Sequence, residues 1–369
     1  MPVTAAVIPA PHRAVELRQF PDPVLEPGAV LLRTLYSEVC GTDVHLRDGK
    51  LPGVPYPLIP GHINVGTITA MAGEVADAFG EPLAAGETVT FLDVHETCNH
   101  CWYCLVAKAS TRCPHRRVYG ITYGAAEGLL GGWSEGIYLK PGVKILRLPA
   151  ELTPEQVIAG GCALPTAFHA VERGQVGLAD HVVVQGSGPV GLMATALARL
   201  AGAQQVIVIG APNLRLEVAQ RLGADAVISI EATTPEKRVA AVRHLTGGRG
   251  ADVTIEASGN PEAVPEGLRM TRDAGTYVVV GQYTDCGPVA INPHHDLNRK
   301  HLDVRATWGI DLSHQYKALQ VMARFRDAVP WTAVISRYYA LEQVNEALAD
   351  VEAGGVVKAV LCPNGCPAT

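Results

Sequence analysis

A strand, a glycine turn and a helix in direct succession leave a chain few folds to choose from. His181-Val182-Val183-Val184-Gln185 is a short β-branched run, and it feeds Gly186-Ser187-Gly188-Pro189-Val190-Gly191. Helix-forming residues follow over 192–200, and a second strand-like run over 205–209. Glycines at this spacing allow a tight turn and bring backbone amides close to a pyrophosphate at a helix N-terminus. The glycine pattern alone carries little weight. With a strand before it and a helix and strand after it, it predicts a doubly wound parallel sheet. Gly186, Gly188, Pro189, Val190 and Gly191 then line a dinucleotide site. Runs at 226–230, 252–257 and 276–280 read as further strands of that sheet.

The second strand of such a unit is expected to end in an acid that binds the adenosine ribose hydroxyls. Here it ends Val208-Ile209-Gly210-Ala211-Pro212-Asn213-Leu214-Arg215. Gly210 removes the charge that would repel a 2′-phosphate, and Arg215 is positioned to meet ribose or phosphate. The coenzyme is therefore NAD or NADP, and the lack of a dense basic cluster favours NAD.

Cysteine spacing adds a second constraint. Cys98-x2-Cys101-x2-Cys104-x8-Cys113 places four thiolates on one short loop. That set suits a closed tetrahedral zinc site with no open position, which makes it structural. Nine cysteines could instead suggest disulfides, but the tight spacing favours metal. A different donor set is scattered along the chain. Cys40-Gly41-Thr42-Asp43-Val44-His45 holds a thiolate, Pro60-Gly61-His62 an imidazole, and Gly160-Gly161-Cys162 a second thiolate. Taken singly, each is ordinary structure. Together they supply three zinc ligands and leave one position for water or substrate. Thr42, two residues from Cys40, could set its hydroxyl beside that position, and His45 could pass a proton to solvent.

Cys-Gly-Thr-Asp-x-His followed by Gly-His resembles the zinc-dependent alcohol dehydrogenases of the medium-chain dehydrogenase/reductase superfamily, and the later motifs arrive in the expected order. The resemblance implies an α/β chain in two domains. Residues 1–163 and 307–369 would form a GroES-like β-rich catalytic domain, with a structural-zinc lobe at about 95–115. Residues 164–306 would form the Rossmann domain. It implies two zinc ions per chain, with Cys40, His62 and Cys162 on the catalytic one. Thr42 and His45 would be a proton relay through the coenzyme ribose. Thr166 would sit near the nicotinamide, Val280 would meet its carboxamide through main-chain atoms, and Lys358 would reach the pyrophosphate. It also implies a dimer or tetramer. The last cysteine spacer has eight residues where about seven are expected, a difference a loop absorbs. A sharper departure is Ile63, which stands where the family usually has a Glu thought to approach zinc during ligand exchange. Either the site works without that acid or another acidic side chain substitutes.

The implied chemistry is hydride transfer between an alcohol and NAD(P), with a zinc-bound alkoxide and the Thr42/His45 relay. Residues before the cysteine cluster line the substrate pocket in the family. His95 and Glu96 would make that wall polar and favour a secondary alcohol of the polyol or cyclitol kind. Tyr119, Tyr123 and Trp133 could line a cleft, although core packing is the commoner fate of such residues. The net charge of −6 offers no footprint for nucleic acid. No basic head with an apolar stretch opens the chain, and the apolar run 190–208 is broken by Arg199, Gly202, Gln204 and Gln205. The expectation is a cytoplasmic enzyme acting on a small molecule, without a membrane span. Rival readings are a zinc-free quinone or enoyl reductase of the same superfamily, a non-enzymatic dinucleotide-binding protein, and a dehydrogenase acting on a thiol–aldehyde adduct.

Overall fold

Strands dominate the first part of the chain because β-branched and aromatic residues alternate with polar ones between Gly and Pro turns. The computed structural model describes residues 2–367. In chain order, β1 (Val3–Val7) and β2 (Glu16–Phe20) form an antiparallel pair, and β3 (Val30–Val39) is followed at once by helix α1 (Gly41–Arg47). Then come β4 (Asn64–Met71), β5 (Thr88–Phe91), β6 (Val94–Glu96), α2 (Trp102–Leu105), β7 (Arg117–Val118), β8 (Gly136–Leu139), β9 (Ile145–Arg147) and α3 (Pro154–Gly160).

The alternating part begins with α4 (Ala163–Gly174), β10 (His181–Gln185), α5 (Pro189–Leu200), β11 (Gln205–Gly210), α6 (Asn213–Arg221), β12 (Ala226–Ser229) and α7 (Pro235–Leu245). It continues with β13 (Ala251–Glu256), α8 (Ala263–Met270), β14 (Thr271–Val279) and β15 (Asp303–Ala306). The chain closes with α9 (Leu312–Arg324), β16 (Ile335–Tyr339), α10 (Val344–Glu352) and β17 (Lys358–Leu361).

Two compact units result. The first comprises residues 1–161, 311–324 and 335–369, and the second residues 162–310 and 325–334. The first is built on a mixed sheet in the order β16-β17-β3-β4-β5-β9, with β8 also on β3. β3 is its spine, ten residues long and antiparallel to β4, β8 and β17. Tyr119, Tyr123 and Trp133 all belong to the apolar core of this unit. Trp133 donates its indole N–H to the Glu38 carbonyl at 3.1 Å, so the ring fills the core without stranding its polar atom.

The second unit is a six-stranded parallel sheet in the order β12-β11-β10-β13-β14-β15. The order reverses direction at β10, the point where doubly wound sheets bind their ligands. Val182, Val183 and Val184 of β10 are fully buried. Burial from both faces explains why this strand reads as an unbroken apolar run, each side chain contributing about 1.5–3 kcal/mol. β11 and β13 match the sequence expectation within a residue, while β14 starts five residues earlier than expected, at Thr271. Among the described residues no helix is long and apolar enough to cross a membrane.

Candidate active site

The second candidate donor set is assembled by three turns of chain. Cys40 ends the extended run of β3 and caps α1, with φ −129° and ψ 180°. His62 precedes β4 by two residues, behind Gly61 at φ +88°. Cys162 directly follows Gly161, which takes φ +51°. One donor atom from each of Cys40, His62 and Cys162 lies within 4.8 Å of the other two. Cys40 and His62 are buried and Cys162 is half-buried. Two thiolates and an imidazole at that range are a zinc donor set with one position left over, so the residues fit the metal that the motif implies.

Asp43 backs this set. Its side chain is fully buried, and Oδ2 accepts the Cys40 N–H at 2.9 Å. Burial raises the Asp43 pKa, while His62 and the Cys40 N–H act against that rise. Carboxylates behind metal-binding imidazoles commonly orient the ring. The sequence reading passed over Asp43, although it lies inside the motif. Thr42 and His45 are three apart on α1 and so lie on one helical face. Nδ1 of His45 is buried with no hydrogen-bond partner among the described residues. Burial lowers the His45 pKa, with Lys50 adding to the effect and Asp48 opposing it. A neutral imidazole with an unused ring nitrogen is suited to taking up a proton.

Ile63 is buried, and Asn64 beside it donates to the Gly61 carbonyl at 3.0 Å. Gly132 is required here, because a Cβ at that position would collide with the Asn64 amide. These residues are therefore packing around the His62 turn.

The four cysteines behave differently. Cys98, Cys101, Cys104 and Cys113 also place their sulfurs within 4.8 Å of one another. Cys98 and Cys113 sulfurs are 3.6 Å apart, and the Cys98 N–H donates to the Cys113 sulfur at 3.3 Å. The backbone N–H of His100 draws the Cys98 pKa down to about 6 against an opposing desolvation. Burial pushes the Cys104 thiol the other way, so it is the closeness of the four sulfurs that suits a metal cage.

His95 and Lys358 are both engaged by partners within the fold. His95 does not present a free polar edge. Its Nδ1 is 2.6 Å from the Tyr123 hydroxyl and its Nε2 3.1 Å from the Pro141 carbonyl, with the side chain 7% exposed. A carbonyl can only accept, so Nε2 carries the proton and Nδ1 accepts from Tyr123. Burial raises the Tyr123 pKa to about 12, which keeps it a donor. Glu96 points to solvent and lies 3.7 Å from His95. Lys358 does not reach outward either. It is fully buried on β17, and its Nζ is 2.6 Å from Glu38 Oε1 and 3.4 Å from the Ile158 carbonyl. In this arrangement the ammonium is committed to Glu38 and the Ile158 carbonyl. An acidic residue two positions before Cys40, near the end of a strand-like run, was the signal available for this pairing.

In the second unit the glycine turn has the expected division of labour. Gly186 takes φ +110°, and a Cβ there would press on the backbone of Ala257 and Ser258. Gly188 caps α5, and a Cβ there meets nothing within 4 Å, leaving the backbone approachable by a pyrophosphate. Gly191 packs its helix against the Gly186 carbonyl. Pro189 and Val190 open α5. The cradle fits a dinucleotide. Gly210 ends β11, where a Cβ would collide with the Ser187 side chain and crowd its backbone nitrogen, which explains why no acid stands there. Arg215 lies half-buried on α6, and burial lowers its pKa. Thr166 is on α4, and the Val280 N–H donates to the Glu256 carbonyl at 3.0 Å. Glu256, unremarked in the sequence, accepts from Ser258 N–H, Ser258 hydroxyl and Gly259 N–H at 2.8 Å each, and from Gly281 N–H at 3.1 Å. It ties the ends of β13 and β14 together.

Known proteins resemble this chain along most of its length. An alcohol dehydrogenase GroES-like domain matches residues 26–150, and a zinc-binding dehydrogenase domain matches residues 189–324. The chain is 35% identical to 5-exo-hydroxycamphor dehydrogenase of Pseudomonas putida, over 98% of this chain and 99% of that protein. It is 33% identical to erythritol/L-threitol dehydrogenase of Mycolicibacterium smegmatis, over 76% of each. The crystal structure of an alcohol dehydrogenase from Thermotoga maritima superposes with a TM-score of 0.93 at 33% identity, covering 99% of this chain and all of that one. With its two domain types, its metal donors and its dinucleotide turn thus accounted for, the chain belongs to the zinc-dependent, NAD(P)-linked alcohol dehydrogenases of the medium-chain dehydrogenase/reductase superfamily.

Proposed function

We propose that the enzyme interconverts a secondary alcohol and its ketone, using two zinc ions per chain and NAD in preference to NADP. The observation that carries this reading is the Cys40, His62 and Cys162 donor set beside an α1 face bearing Thr42 and His45. A zinc ion held by those three residues would supply Lewis-acid polarisation of the substrate oxygen. The chain's own residues handle the proton. The Thr42 hydroxyl receives it, and His45, neutral and with Nδ1 unused, passes it to solvent. The turn at Gly186, Gly188 and Gly191, with Pro189 and Val190, holds the coenzyme pyrophosphate, while Thr166 and Val280 contact the nicotinamide end. Cys98, Cys101, Cys104 and Cys113 hold the second zinc and shape their loop.

Substrate class rests on the relatives. One acts on a hydroxycamphor, a cyclic secondary alcohol, and another on the polyols erythritol and threitol. A polyol or cyclitol stays within this class, although His95 and Glu96 no longer argue for it. For the coenzyme, Gly210 removes the repulsion of a 2′-phosphate, and Arg215 is one cation without a cluster around it. That pattern supports NAD with NADP tolerated. A cytoplasmic dimer or tetramer follows from the resemblance alone, and sedimentation of the purified chain tests the assembly.

The deciding experiment is nicotinamide reduction with NAD and NADP separately, against cyclic secondary alcohols, tetritols, cyclitols and primary alcohols, with zinc counted per chain. Faster turnover of secondary alcohols with NAD and two zincs supports the reading. Turnover of a quinone or enoyl substrate by zinc-free protein overturns it.

A further inference from the structure

We infer that Glu38, clamped by Lys358, is a positioning residue for the catalytic metal ligands and occupies the functional place left without an acid at Ile63. The inference rests on the reading of Cys40, His62 and Cys162 as a zinc site.

Four observations converge on it. First, the pair is buried to a degree that burial alone does not favour. The side chains of Lys358 and Glu38 are 0% and 1% exposed, and Nζ to Oε1 is 2.6 Å. Taking two charges out of water costs several kcal/mol per ion, and an apolar pair of similar size serves stability as well or better. Such a pair is best understood through what it positions.

Second, the register sets Glu38 directly against Ile63. Ser37 pairs with Asn64 across β3 and β4, and one step on, the Glu38 N–H donates to the Ile63 carbonyl at 3.2 Å. Directly opposed residues share one face of the sheet, with Cβ atoms about 4.5–5.5 Å apart. A carboxylate on Glu38 therefore starts from the same patch as one on residue 63 would. Glu38 thereby stands opposite the residue that follows His62.

Third, Glu38 and Cys40 are two apart on an extended backbone and lie on one face. Fourth, the pair presses on the residue before the third ligand. At Gly161 a Cβ would collide with both Glu38 Oε2 and Lys358 Nζ, and φ is +51°. Lys358 also donates to the Ile158 carbonyl in α3, the helix that ends one residue earlier. One ion pair thus touches the strand carrying Cys40, lies across from the turn carrying His62, and seats the glycine that delivers Cys162. Groups supporting metal ligands in this way typically change metal affinity by roughly 10- to 100-fold when removed.

The test compares wild type with Glu38→Gln/Lys358→Met, which removes both charges and leaves no ion unpaired, and with Glu38→Gln/Ile63→Glu, which returns the acid to the opposite strand. Zinc release into a chelator is followed alongside circular dichroism, and the thiolate-to-metal absorption of the cobalt-substituted proteins is recorded. The expected result is a folded Glu38→Gln/Lys358→Met protein that loses one of its two zincs roughly 10- to 100-fold faster than wild type. The other zinc leaves at the wild-type rate. The cobalt band is altered, and Glu38→Gln/Ile63→Glu recovers slow release. A purely structural pair would leave both zincs, or loosen both together, and either result overturns the inference alone. A wild-type chain that holds only the four-cysteine zinc overturns the metal reading beneath it, and the inference with it.

Discussion

The two cysteine-rich sites of this chain are built in opposite ways. The four-cysteine lobe draws every donor from sixteen consecutive positions, 98 to 113, and its loop is largely solvent-facing, with Trp102, Leu105 and Val106 exposed. The other site gathers Cys40, His62 and Cys162 from three distant segments, with Asp43, Glu38 and Lys358 buried behind them. A site made from one short loop needs little from the rest of the fold and contributes mainly to holding that loop. A site made from remote segments inherits its geometry from the whole sheet, and it can keep one coordination position open for chemistry. The difference teaches that closure and locality belong together, as do openness and long-range support.

The largest expected effect breaks the second site. Cys40→Ser should lower turnover on the order of a thousandfold or more, the scale of several kcal/mol of lost Lewis-acid stabilisation. Zinc analysis should show the four-cysteine metal still present. Next, Thr42→Ala should cost roughly 10²–10⁴ in turnover, the range of a lost proton-transfer group, with both zincs retained. Full activity in that variant would remove Thr42 from the relay.

The pH profile sharpens the role of His45. Its pKa is lowered from the ordinary 6.5, so it stays neutral and able to accept a proton as pH falls through 6.5. Alcohol oxidation should decline only below that value, about tenfold per pH unit on the acid limb. In His45→Gln, turnover falls and this limb disappears from kcat measured across the range.

Cys101→Ser tests the first site. It should empty the lobe of zinc and lower thermal stability, since metal binding there is folding energy. The folded fraction should keep turnover within a few-fold of wild type. The smallest effect is predicted for His95→Phe, which strands the Pro141 carbonyl and the Tyr123 hydroxyl. It should cost about 1–3 kcal/mol in denaturant unfolding and leave the ranking of alcohol substrates unchanged.

What was legible in the residues divides along the same line. The four-cysteine cluster and the glycine turn are local patterns, and the structure brings the four sulfurs together and sets the turn between β10 and α5. The three remote ligands were legible through motif order, because each sits beside a glycine in a recognisable register. The partners of Lys358 and His95 were not legible, for a shared reason. A lysine or histidine near a functional segment looks available in a linear chain, and nothing local announces that a carboxylate or a tyrosine will meet it. Glu38 lies 320 positions from Lys358 and Tyr123 lies 28 from His95. Such partners are chosen by strand pairing, here β17 against β3, and not by neighbours in sequence.

The amino-acid sequence by itself determined the two domain types and the strand, turn and helix of the dinucleotide motif, and it marked the cysteines and histidine that the structure gathers into two clusters, since these depend on spacing and on backbone freedom at glycine. Tertiary structure alone decided which charged groups face inward. It buried Asp43 against the Cys40 N–H and withdrew Lys358 from solvent into an ion pair with Glu38. The physical reason is that a buried charge survives only beside a compensating group, and the register of the sheet settles which group that is.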